Sequence, residues 1–179
     1  MGGVRHGHGG TGQIGLRRLT ANDTVEVRIM GFPLDIQQTA NSWHDELLRE
    51  FALVSLAAGD GTAVPRRLLE LVEATRAHYS EFTEDVEHAQ LEMHAGGLHR
   101  GDFSYHVPPS IASACADLDD ALDRAEAFCE TGNLLTMRPP AVVTAFRRWM
   151  LGEFVRQIRD GARPLAWDDY VRAGGLAAV

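Results

Sequence analysis

Glu84, His88 and Glu92 recur at i, i+4 and i+8. On a helix they share one face, and a histidine between two carboxylates is a ligand set that suits a divalent cation. The apolar seam of the same segment passes through Val86 and Ala89, nearly opposite His88. That face is expected to be solvated, so the three are weak metal candidates and no bound metal is expected. His94, His99 and His106 follow closely, without an HExxH or Cys/His pattern beside them.

A second polar cluster, Trp43-His44-Asp45-Glu46-Leu47-Leu48-Arg49-Glu50, lies beside an apolar stripe. His44 and a carboxylate could exchange a proton as acid and base. No nucleophile accompanies them, and Asp45 with Arg49 is an ordinary i, i+4 helix pair, so a surface helix is the simpler expectation. Gly10-Thr11-Gly12-Gln13-Ile14-Gly15 has a GxGxxG-like look, but no strand pattern precedes it and no helix pattern opens after it, so it fails as a phosphate loop. GxSxG, Walker and CxxC motifs are absent. Neither catalytic residues nor a cofactor are expected, and the chain reads as a protein that is not an enzyme.

Charge is the other chemical feature. The chain carries 25 acids against 17 bases, a net charge of −8, and every base is Arg. From Glu81 to Glu92 there are five acids and no Arg; from Asp117 to Glu130 there are six acids and only Arg124. From Arg138 to Arg163 there are six Arg against Glu153 and Asp160. The basic block could pair with the acidic helices internally, dock an acidic partner, or bind nucleic acid. The overall charge disfavours nucleic acid. Arg147, Arg148, Arg156 and Arg159 are the partner-binding candidates, because Val143, Phe146, Met150 and Phe154 fill the apolar face of their helix.

The elements that must position these residues follow from periodicity. Val25, Val27 and Ile29 alternate with charges as in a half-buried strand. Ile36, Ala40, Trp43, Leu47, Phe51 and Val54 form one stripe of a helix over about 34–56. After Pro65, Leu68, Val72, Thr75, Tyr79, Phe82, Val86, Ala89 and Met93 make a heptad-like seam up to Gly96-Gly97. That seam suits a long core helix, with Phe82 buried in its middle, or a coiled-coil homo-oligomer. Phe103, Tyr105 and Val107 alternate as a second strand. A helix follows from Pro108-Pro109 to about Cys129, then a short strand at Leu134–Met137, then a helix opened by Pro139-Pro140 and stopped by Gly161. The fold class is therefore expected to be α+β and helix-dominated, a small three-stranded sheet packed by about four helices. Residues 1–22, rich in glycine, read as a flexible tail, 23–167 as one domain, and 168–179 as a C-terminal tail.

Cys115 and Cys129 fall on one predicted helix fourteen residues apart, about 21 Å at 1.5 Å per residue, too far for a disulfide. Reduced thiols fit a cytoplasmic protein. The longest uncharged apolar run, Phe51 to Ala58, is far short of a membrane span, so no membrane association is expected.

Two segments resemble a known family. Val27-Arg28-Ile29-Met30-Gly31-Phe32-Pro33-Leu34 with His44-Asp45-Glu46-Leu47-Leu48-Arg49-Glu50-Phe51 looks like the opening of actinobacterial proteins associated with anti-sigma-factor regulation. Leu135-Thr136-Met137-Arg138-Pro139-Pro140, then Phe146-Arg147-Arg148-Trp149 and Glu153-Phe154, is similar to the first strand and helix of anti-sigma-factor kinases. The resemblance implies a histidine-kinase-like ATPase fold and partner switching on a sigma factor or an antagonist. That family's ATP site uses a Glu-x-x-x-Asn-Ala helix and glycine-rich lid motifs, and this chain has neither. The expected function is thus a non-enzymatic regulatory protein with a protein partner. The alternatives are a nucleotide-binding protein of that fold with a degenerate site, or a metal-dependent enzyme using the His88 region.

Overall fold

The computed structural model describes residues 24–56, 63–130 and 138–177. Strand β1, Val25–Pro33, leads directly into helix α1, Leu34–Leu56, the span its apolar stripe predicts. Helix α2, Ala63–Ala95, returns to strand β2, Arg100–Val107. Helices α3, Ile111–Glu130, and α4, Ala141–Asp160, follow, then a short helix α5, Trp167–Tyr170, that runs into a π turn, Val171–Gly175.

The class is α+β and helix-dominated. Each long helix packs on two others: α1 on α2 and α4, and α3 on α2 and α4. This closes a ring of four helices, the arrangement of a bundle. β1 and β2 pair antiparallel, with Val25 opposite Val107, Val27 opposite Tyr105 and Ile29 opposite Phe103. Val27, Ile29, Phe103, Tyr105 and Val107 all turn inward and are buried, as their alternation requires. Between Ile29 and Phe32 the register slips by one residue. Gly31 occupies the bulge with φ +63°, a left-handed conformation that glycine accepts without strain. Its N–H donates to Asp102 Oδ1 at 2.7 Å, and its carbonyl accepts from Arg100 at 3.1 Å.

The sheet of the described residues has two strands where the sequence suggests three. The segment expected as the third strand, Leu134–Met137, lies outside the described residues, as does the Gly-rich segment 1–22. At Arg28 the outer edge of β1 is met by a side chain. Gln157 of α4 accepts from the Arg28 N–H at 2.9 Å and donates to its carbonyl at 2.8 Å. One carboxamide thus supplies the two hydrogen bonds that a neighbouring strand would make there.

Two cores fill the molecule. The larger joins the inner face of the sheet to α4 and α5, with Phe32, Phe103, Phe146, Trp149 and Trp167 in contact edge to face or tilted. The smaller holds Trp43, Leu47 and Phe51 of α1, Leu68 of α2, and Ala121, Leu122 and Ala125 of α3. The α2 seam turns toward these cores: Tyr79, Phe82, Val86, Ala89 and Met93 are partly buried against the larger one. Phe82 is half-buried rather than fully enclosed, because α2 lies on the outside of the bundle. The segment after Trp167 continues as structure where a tail is expected. Trp149 Nε1–H donates to the Leu165 carbonyl at 2.8 Å, Trp167 is buried, and Tyr170 stacks on it.

Gln157 ties the sheet to the bundle, and its amide also donates to Glu153 Oε2 at 2.9 Å. Gln157→Ala leaves the Arg28 amide and carbonyl without this partner, at an expected cost of about 2–3 kcal/mol. Chemical denaturation should show a lower midpoint with an unchanged slope; a loss below about 0.5 kcal/mol would mean that water replaces the carboxamide freely.

Candidate functional site

The four arginines of the basic helix are reached first by partners from their own chain. Arg147 is 4% exposed and sits between α4 and α3. Its guanidinium donates to Asp119 Oδ1 at 2.5 Å, Asp123 Oδ1 at 2.5 Å and Glu126 Oε1 at 3.1 Å, and to the Asp119 carbonyl at 2.8 Å. Thr144 donates to Glu126 at 3.3 Å. Burial raises Asp119 and Glu126 above their ordinary carboxylate values, with the Arg147 charge pulling the other way. Burial also pushes Asp123 up, but its hydrogen bond from Arg147 and the charges of Arg147 and Arg148 hold it below the usual range. Arg148 lies 3.2 Å from Asp123, Arg156 2.7 Å from Glu153, and Arg159 3.3 Å from the Ser113 hydroxyl.

The expectation of an outward-facing set therefore changes for Arg147. It lies four residues after Val143 and three before Met150, so it shares their inward side, opposite the acidic run of α3. That position was the signal available in the sequence. Glu153 is also buried, and it accepts from Arg156, Gln157 and the Leu165 N–H.

Beside this ion cluster, α1, α2 and α3 enclose a cleft of about 470 Å³. Its floor is apolar: Leu47 and Leu48 from α1, Val72 from α2, and Leu118 and Leu122 from α3. Gln37, Asn41, Asp45, Arg76 and Glu87 line its polar sides, and Leu91 stands at the edge, 61% exposed. A shallower hollow of about 210 Å³ shares Gln37, Asn41, Asp45 and Leu91 and extends to His94. Gln37 donates to Gln90 at 2.7 Å and Gln90 to the Tyr105 hydroxyl at 2.9 Å, so a chain of polar groups runs from the cleft to the sheet. Spacing alone does not reveal this set, because three separate helices supply it.

His44 forms part of the cleft wall, its ring edge-on to Trp43 with centroids 5.2 Å apart. Burial, helped by the Arg147 charge, lowers its pKa to about 4, so the ring is neutral near pH 7. Its Nε2 is buried and has no hydrogen-bond partner among the described residues. Of the polar cluster read in the sequence, Asp45 is exposed on the rim while His44 is half-buried.

The metal candidates are spread along the solvent side of α2. His88 Nε2 is 3.2 Å from Glu92, with both side chains about 70% exposed, and Glu84 is exposed as well. Among the described residues no group of three or more His, Cys, Asp or Glu is arranged to hold a metal ion. Asp35 at the start of α1 meets His99 at 2.8 Å and His94 at 3.2 Å, and these contacts hold its carboxyl below the usual range. They fasten the start of α1 to the end of α2. Cys115 is free and buried, its thiol pushed up to about 12 by burial and by Asp119, which makes it a poor nucleophile. No helix among the described residues is long and apolar enough to cross a membrane.

Replacing Arg147 with Met should cost about 3–5 kcal/mol, because three carboxylates around a buried site lose their common cation. A thermal melt that barely moves would show that the acids relax into solvent. His44 has a folded value below its unfolded one, so its stabilising contribution is complete above about pH 6.5 and is lost as pH falls toward 4. Between pH 8 and pH 5 the wild type should lose about 2 kcal/mol relative to His44→Gln. Urea unfolding at the two pH values measures this, and a constant difference would place the acid sensitivity elsewhere.

Compared with protein-family models, curated proteins and solved structures, the chain matches none.

Proposed function

We propose that this chain is a non-enzymatic regulatory protein that works through protein–protein contacts in the cytoplasm, in a sigma-factor or signalling circuit based on partner switching. The outer face of α2 carries this reading. That helix is 33 residues long, and Glu81, Glu84, Asp85, Glu87 and Glu92 are all exposed along it. Leu91 stands among them, and Leu98 just beyond the helix is 51% exposed. Large apolar side chains ringed by acids fit a protein surface that is basic at its rim and apolar at its centre. The arginines of α4 have partners within the chain, and from Glu81 onward α2 carries five exposed acids and no arginine of its own. The surroundings of His44 favour the same view. A buried neutral ring without a nucleophile beside it suits binding better than group transfer.

The test is a differential capture from extracts of the native host, using wild type and the triple variant Glu81→Arg, Glu84→Arg, Leu91→Glu. The three side chains are exposed, so circular dichroism should stay unchanged. A protein retained by wild type and lost by the variant is the expected result, with retention falling as salt rises. Equal capture by both proteins would remove α2 as the docking face. Saturable calorimetric binding of Mg²⁺-ATP would instead favour a nucleotide-binding protein.

A further inference from the structure

We infer that the cleft between α1, α2 and α3 is a binding site for a small amphipathic amine, with its apolar body on the leucine floor and its ammonium at the mouth. The cleft's volume of about 470 Å³ falls within the range of small-molecule sites, and gaps between bundle helices are a recurring place for them. Leu47, Leu48, Val72, Leu118 and Leu122 offer a continuous apolar surface with no competing charge. This selects a hydrocarbon or aromatic body.

The mouth selects the head group. Asp45 and Glu87 face it from α1 and α2, against the single guanidinium of Arg76. Glu84 projects from the neighbouring turn of α2, three residues before Glu87, and is exposed. An anion would meet repulsion there, and a cation would meet two carboxylates. The His44 ring forms part of the wall, and its buried Nε2 has no hydrogen-bond partner among the described residues.

The cleft shares Glu87 and Leu91 with the acidic face of α2, but its readout is a small-molecule titration at His44 and the floor leucines, so its failure and a failure of the differential capture are told apart. The experiment uses three probes with one common body: 4-phenylbutylamine, 4-phenylbutanol and 4-phenylbutyrate. Each is titrated into the full chain and followed by NMR at the His44 imidazole and at the Leu118 and Leu122 methyls. The amine should shift these signals saturably and bind about three- to tenfold tighter than the acid at low salt, the size expected of exposed ion pairs. The alcohol should fall between them. In Asp45→Asn, Glu87→Gln, both exposed positions, the three probes should converge. Leu118→Trp should fill the floor and abolish the shifts. If that variant is unfolded, the convergence in the charge variant decides. Equal or tighter binding of the acid would overturn the inference. So would saturable binding that leaves His44 and the two leucines unshifted, or no saturation up to the solubility limit of the amine.

Discussion

A guanidinium taken out of water must be met by opposite charge, and the packing of α3 on α4 is organised around that requirement at Arg147. Asp119, Asp123 and Glu126 occur at i, i+4 and i+7, one stripe of α3, and all three converge on the same group. Apolar contacts alone would allow the two helices to slide. A bidentate cation between fixed carboxylates defines one register. The same charge reaches His44 across the bundle and helps keep its ring neutral. The ion cluster therefore holds the bundle together and sets the chemistry of the cleft beside it.

Buried amides perform the corresponding task at the sheet. Two paired strands are marginal on their own, and β1 and β2 are held by what surrounds them. Gln157 meets the outer edge of β1 at Arg28, and Gln90 joins the Tyr105 hydroxyl to Gln37 of α1. Each link is short and geometrically specific. Together with the aromatic group around Trp149 they fix how α1, α2 and α4 sit against the strands. The bulge at Gly31 then leads β1 straight into α1, and this turn starts the helix that presents His44 and Asp45.

The distribution of charge follows from these constraints. Arginines of α4 turn toward α3 or toward their own helix, while the acids of α2 remain outside. An acidic protein whose basic helix is occupied internally presents negative charge to its surroundings, and the exposed Leu91 of α2 lies within it. The cleft sits on the inner side of the same helix. α2 thus has an outward, charged side and an inward side where Val72 meets leucines of α1 and α3, with Glu87 and Leu91 at the border between them.

Much of this architecture was legible along the chain. Alternation placed β1 and β2, the apolar stripe marked α1 over Leu34–Leu56, and Gly161 ended α4, because such periods follow from local geometry that every residue carries with it. Segregation of the acidic and basic runs was legible too, and internal pairing was among its readings. The helical position of Arg147 marked its inward side, but tertiary structure decided that it would be buried among carboxylates, because that depends on α3 lying alongside α4. It also decided that Trp167 would anchor the C-terminal segment and that Gln157 would meet the edge of β1. The cleft was hidden for the same reason. Its walls come from Gln37, Arg76, Glu87 and Leu118, distant in sequence, and only the packing of three helices brings them around one space.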